Sequence, residues 1–111
     1  MHEWIKSHPA AITVCDKDGI VLSMNDKAIQ TFAKYGGEAL IGSSLYDCHP
    51  PYACAKIREM LASGIGNSYS IEKNGIKKII HQHPWFVDGA VAGLVEISIE
   101  VPIDMQHHVR S

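Results

Sequence analysis

The stretch Asp16-Lys17-Asp18-Gly19-Ile20-Val21-Leu22-Ser23-Met24-Asn25-Asp26-Lys27-Ala28 encodes a turn, a strand and a helix start in succession. Asp18-Gly19 is a hairpin signal, because glycine tolerates the positive φ that a tight turn demands. Ile20 to Met24 then supplies an apolar run of strand length. Asn25 or Asp26 is placed as an N-cap, its side-chain oxygen available to the unpaired amides of a first helical turn. Upstream, Ile12-Thr13-Val14-Cys15 is rich in β-branched residues and forms the other arm of the hairpin. Downstream, Ala28, Ile29, Phe32 and Ala33 recur at helical spacing until Gly36-Gly37, where a left-handed residue can end the helix.

Working outward, Leu40, Ile41 and Leu45 lie in a short polar stretch that reads as one or two helical turns. Pro50-Pro51 opens the clearest helix, since proline suits a first turn whose N–H groups have no partner. Ala53, Ile57, Met60 and Leu61 form its apolar stripe opposite Lys56, Arg58 and Glu59, and Gly64 closes it. Three strands follow. Asn67 to Lys73 alternates loosely, Asn74-Gly75 marks a type I′ turn, Ile76 to Val87 is a long strand, and Asp88-Gly89 is another turn. Leu94 to Val101 then sets Val95, Ile97, Ile99 and Val101 on one face and Glu96, Ser98 and Glu100 on the other, until Pro102. Strands at both ends with helices between them predict an α+β domain: a five-stranded antiparallel sheet with helices packed on one face.

The 111 residues are enough for one domain, and 46% apolar with 20% charged residues describes an ordinary globular chain. A net charge of −2 provides no basic excess to attract nucleic acid or anionic lipid, so neither partner is expected. No apolar run approaches eighteen residues, and Met1 to Lys6 lacks the pattern of a signal peptide, so a cytoplasmic setting is expected. Cys15, Cys48 and Cys54 are odd in number and read as free thiols, without the close pairs of a zinc site. Protonating all seven histidines would carry the net charge from −2 to +5. Of these, His2, His8, His107 and His108 lie near the termini and read as solvated.

The order of elements resembles a PAS domain over roughly residues 8 to 102. The resemblance is carried by the Asp16-x-Asp18-Gly19 hairpin, Asn25-x-x-Ala28 at the first helix, Leu40-Ile41-Gly42-Ser43-Ser44-Leu45, and Asp88-Gly89-x-x-x-Gly93 between the last two strands. It implies a flanking segment over 1–9, a PAS domain over 10–102 and a tail over 103–111. Cys48-His49-Pro50-Pro51 further resembles a bacterial and archaeal PAS subgroup with this tetrapeptide before the long helix. The LOV flavin photosensors carry their photoactive cysteine in an N-C-R-F-L-Q stretch. Asp47-Cys48-His49-Pro50 stands there instead, so flavin is not expected.

The resemblance implies a sensory or signal-transduction module whose central helices wall a cavity closed by the sheet, with homodimerisation and a small-molecule ligand as expectations. Cys48, His49 and Ile57 are ligand candidates on the helical side. His49 hydrogen-bonds at the helix entrance, ligates haem iron or another metal such as zinc, or contacts an organic ligand. His81, His83 and Trp85 share one face of their strand and line the cavity if that face is the inner one; Ile80 and Phe86 occupy the other phase. His81 and His83 are also close enough in sequence to share a metal. Cys48 and Cys54 flank a helix start, where unpaired amides lower a thiol pKa, and a redox switch through them is one alternative. A ligand-free dimerisation domain is the other. Trp4 and Ile5 precede the first strand, in a segment too short to be helical without something to pack on. No catalysis is expected: Ser43 and Ser44 lack a nucleophile elbow, no glycine-rich loop precedes a helix, and Glu96 and Glu100 read as a solvated surface.

Overall fold

Local signals and long-range pairing meet in one sheet in the computed structural model, which describes every residue from Met1 to Ser111. The strands are β1 (Ala11–Asp16), β2 (Val21–Met24), β3 (Asn67–Lys73), β4 (Ile76–Val87) and β5 (Ala90–Val101). They lie in the order β2-β1-β5-β4-β3, every neighbouring pair antiparallel. The last strand therefore sits in the middle and joins the N-terminal hairpin to the C-terminal one. The helices are α1 (Glu3–Lys6), α2 (Asp26–Thr31), α3 (Leu45–Cys48) and α4 (Pro51–Ser63), with 3-10 turns at Ala33–Tyr35 and Gly37–Leu40. The expected α+β architecture is the observed one.

Both type I′ turns form as read. Asn74 and Gly75 have φ of 53° and 78°, Asp88 and Gly89 of 50° and 79°, and the two positive values match the right-handed strand twist. Three boundaries differ from the reading. Strand β2 begins at Val21, because Ile20 instead bridges to Ser44. Strand β5 begins at Ala90 rather than Leu94, since the Asp88-Gly89 turn starts pairing at once with Val87 and Ala90. The helix after Asn25 ends at Thr31 and tightens into the two 3-10 turns.

Asn25 is the N-cap of α2 and is completely buried. Its Oδ1 accepts from Ala28 N (3.0 Å) and Ile12 N (2.9 Å). Its Nδ2 donates to the carbonyls of Ile5 (3.1 Å), His8 (3.3 Å) and Ala10 (2.8 Å). One side chain thus ties α2, β1 and the N-terminal segment together. Trp4 in α1 nevertheless remains 69% exposed, so that segment is held by its backbone and not by its apolar side chain.

The Leu40–Leu45 stretch runs beside β2. Val21 N donates to Ser43 O (2.9 Å), Gly42 N to Val21 O (2.8 Å) and Leu45 N to Gly19 O (2.9 Å). The Tyr46 ring covers Gly19, where a Cβ would lie 2.7 Å from the ring edge, and the Arg58 guanidinium stacks 4.2 Å from the ring centroid. This stack links the first hairpin to α4. Two small apolar clusters form the core: Ala11, Val21, Met24 and Ala28 under α2, and Cys15, Ile57, Met60 and Leu94 under α4.

Candidate functional site: the cavity between helices and sheet

Both core clusters contribute walls to a cavity of about 650 Å³. Its apolar side includes Phe32, Leu40, Leu45, Ile57 and Met60 from the helical layer. Its floor is the inner face of the sheet, and the strand register determines which residues belong to it. Thr13 pairs with Glu96, Glu96 with Gln82, and Gln82 with Asn67. These four form one polar row across β1, β5, β4 and β3, and all four line the cavity. Asn67 Nδ2 donates to Gln82 Oε1 (3.4 Å), and Gln82 Nε2 donates to Glu96 Oε2 (2.9 Å).

The candidates from the sequence divide into two groups. Cys48, His49 and Ile57 border the cavity. His81, His83 and Trp85 do not; they occupy the outer face, with Ile80 and Gln82 pointing inward, and this corrects their expected place in the lining. The reason is the parity of β4: buried Ile80 pairs with Ser98 beneath the helices, so its odd-numbered neighbours turn away. His81 and His83 stack with ring centroids 5.9 Å apart, and His81 Nδ1 meets Ser68 Oγ at 2.7 Å. No three His, Cys, Asp or Glu side chains gather to share a metal ion. Trp85 lies across Gly93 and donates from Nε1 to Cys15 O (3.0 Å). Glu96 is a second correction: read as solvated surface, it is half-buried in the cavity floor. Glu100, two positions on along the same face, is exposed and pairs with Lys27 of α2 at 3.8 Å.

Around the Cys-His-Pro-Pro stretch, Pro50 caps α4 and Pro51 is its first residue. A residue before proline is held extended, and His49 obeys with φ −114° and ψ 146°. His49 Nδ1 lies 2.7 Å from Leu45 O and 3.3 Å from Cys48 Sγ. A carbonyl only accepts, so Nδ1 carries a proton, and in the neutral ring the lone pair is then on Nε2.

Burial pushes the Cys48 thiol up from its ordinary value, with the Asp47 carboxylate adding to the effect. The direction is opposite to that of an activated thiolate, although Cys48 is exposed. Cys48 ends α3 instead of starting α4, and Pro50 and Pro51 supply no N–H groups to stabilise an anion. Cys54 is buried, and its Sγ faces Tyr46 O (3.6 Å) and His49 O (3.4 Å), contacts that use the thiol proton. Cys15 is buried in β1 and its pKa is likewise raised by burial. All three cysteines are free.

A five-stranded antiparallel sheet with strand order β2-β1-β5-β4-β3, a helical layer on one face and a cavity between them define an α+β domain of two layers. A family model for the PAS fold matches residues 5–63, more than half of the chain, and the chain belongs to the PAS fold family. Solved structures agree in fold. The C-terminal domain of a Streptococcus mutans protein superposes with TM-score 0.70 at 21% identity, covering 86% of this chain and 78% of that one. The Aer2 receptor of Vibrio cholerae, described as a dual PAS-haem oxygen sensor, gives 0.64 at 13% identity over 84% and 95%. A sensory box sensor histidine kinase, also from Vibrio cholerae, gives 0.64 at 16% identity over 91% and 89%. No curated protein matches the sequence. No helix is long and apolar enough to cross a membrane.

Proposed function

We propose that the chain is a sensory module whose cavity binds a small organic ligand and whose outer sheet face pairs with a second copy, without a reaction of its own. The observation that carries the reading is the cavity. At about 650 Å³ it lies within the usual range for small-molecule pockets, roughly 300 to 1,000 Å³. It combines an apolar wall with a few convergent polar groups, the ordinary composition of a binding site. The sensory role is supported by the fold shared with a receptor and a sensor kinase. The dimer is supported by the uncovered outer face, where Ile79 and Ile99 are 41% and 47% exposed beside Val95 and Ile97. A ligand that favours one packing of helices on sheet biases what the second copy or a neighbouring domain meets.

The test is a thermal-shift screen of small molecules on the wild-type chain and on Ile57→Trp, which fills the cavity from its α4 wall. Compounds that raise the melting temperature should lose the effect in the variant. Hits that stabilise both proteins equally would place the binding elsewhere and sink the reading.

Haem is a second reading, favoured by His49. With Nδ1 tied to Leu45 O, the ring is oriented and its tautomer chosen, which is how iron-binding histidines are held. Nε2 is then the nitrogen for iron, and the apolar wall fits a porphyrin face. Bound haem would supply ligation of a diatomic gas. Added haemin should raise a Soret band that His49→Ala abolishes; a spectrum unchanged by haemin excludes this reading.

A further inference from the structure

The polar row on the cavity floor specifies more than a generic pocket. Strand β5 is central, so Glu96 sits at the middle of the floor, between Thr13 on one side and Gln82 on the other. Its neighbours along the sheet are Cys15 and Leu94 in one direction and Ala11, Ser98 and Ile80 in the other. Half-buried among them, the carboxylate gains from every partner its lone pairs find. The hydrogen bonds of the row all run toward it: Asn67 donates to Gln82, and Gln82 donates to Glu96 Oε2. Glu96 Oε1 has no hydrogen-bond partner in the protein, and an ionised carboxylate is acceptor-only. The row therefore ends in an unused acceptor facing the cavity.

Two cations, Lys56 and Lys78, share the lining, and neither forms an ion pair with Glu96. Lys56 is on α4 and turns to Glu59 at 3.8 Å. Lys78 is four residues along β4 from Gln82, roughly 13 Å at strand rise, and its partner across the ladder is Glu100. Tyr69 lies beside Glu96 and Tyr52 at the cavity rim; burial first, then these two neighbours, raise its phenol pKa. It stays a neutral ring with a face to offer a cation.

We propose that the cavity selects an amphipathic amine: an apolar body against the α4 wall and a protonated amino or amidino head on Glu96. This rests on the cavity-ligand reading above and names its ligand class. A carboxylate of the same shape finds no opposite charge at Glu96, and an alcohol can donate a hydrogen bond to the carboxylate but brings no charge to pair with it.

Three probes with one body and different heads separate the alternatives: phenylbutylamine, phenylbutanol and phenylbutyrate, titrated calorimetrically into the wild-type chain and into Glu96→Gln. The amine should bind at least about tenfold tighter than the alcohol, the scale of a charge-assisted hydrogen bond, and the carboxylate weakest. Glu96→Gln, near-isosteric, should remove the amine's advantage over the alcohol while leaving the melting temperature unchanged. Phenylbutyrate binding as well as the amine, or an amine affinity indifferent to Glu96→Gln, overturns the amine assignment and leaves the cavity reading standing. No binding by any of the three overturns the amine assignment as well, and the thermal-shift screen with Ile57→Trp then decides the cavity reading.

Discussion

Asn25 commits both atoms of its carboxamide to backbone groups, none of them its own. Asn25→Ala strands Ile12 N and Ala28 N as donors and the Ala10 carbonyl as an acceptor, around a side chain that is fully buried. The loss should be about 3 kcal/mol, combining a missing N-cap with unsatisfied buried groups, read from urea denaturation. A cost below about 0.5 kcal/mol would mean that water replaces the side chain. Its role as a cap was legible from its position ahead of Ala28-Ile29, because capping is a local interaction. Its grip on residues 5 to 10 was not, since nothing local places those carbonyls beside it. At Cys48 the lesson reverses. Proximity to a helix start predicted a lowered pKa, while partial burial, with the Asp47 carboxylate beside it, raises it. Alkylation of Cys48 followed against pH should therefore reach its midpoint above that of an unstructured peptide thiol. A midpoint at or below neutrality would restore the redox reading.

At the scale of elements, β5 shows how far alternation can be trusted. The clean alternation of Val95, Ile97, Ile99 and Val101 with Glu96, Ser98 and Glu100 is real, but the apolar side faces outward. Counting back from the two-residue Asp88-Gly89 turn would pair Gln82 with Val95. A bulge between Trp85 and Phe86 shifts the register by one, so Gln82 meets Glu96. The β3–β4 hairpin has no such shift, and the Asn67–Gln82 pair follows directly from Asn74-Gly75. Most elements were thus readable from turn and cap signals, whereas the polar row needed a bulge that no turn residue announces. Beside the bulge, Gly93 has its own constraint: a Cβ there would collide with the Cys15 carbonyl oxygen and lie 2.5 Å from Trp85 Nε1. Gly93→Ala should destabilise the fold by about 3 kcal/mol, as overpacking in a core does, seen as a lowered melting temperature. An unchanged melt would show that β5 can move aside. Pro84 is tolerated in β4 because β3 pairs no further than Gln82, so the missing N–H faces an unpaired edge.

For the whole molecule, two properties follow from a layered fold with one bare sheet face. Cys15, Tyr46, Cys48 and Tyr69 all have pKa values raised chiefly by burial. Above the ordinary thiol value of 9.0 the unfolded chain releases protons that the folded chain retains. Stability should therefore be flat up to about that pH and then fall as pH rises through the thiol and phenol range. Urea midpoints rising over the same range would contradict this. The outer face is the second property. Ile99→Lys, at a position 47% exposed, should leave the melting temperature nearly unchanged and convert the proposed dimer to monomer in sedimentation velocity. A wild-type chain that sediments as a monomer at high concentration removes the dimer from the proposal.

The sequence by itself determined the elements, their order and the cap and turns between them, because these depend on residues within a few positions of one another. The resemblance to PAS domains carried by its motifs suggested Cys48, His49 and Ile57 as candidates on the helical side. Only the tertiary structure decided which face of β4 and β5 the helices cover. Alternation makes the two faces of a strand different, but covering one of them is a long-range choice, set here by strand pairing and a single bulge. That choice turned His81, His83 and Trp85 outward and brought Glu96 into the cavity.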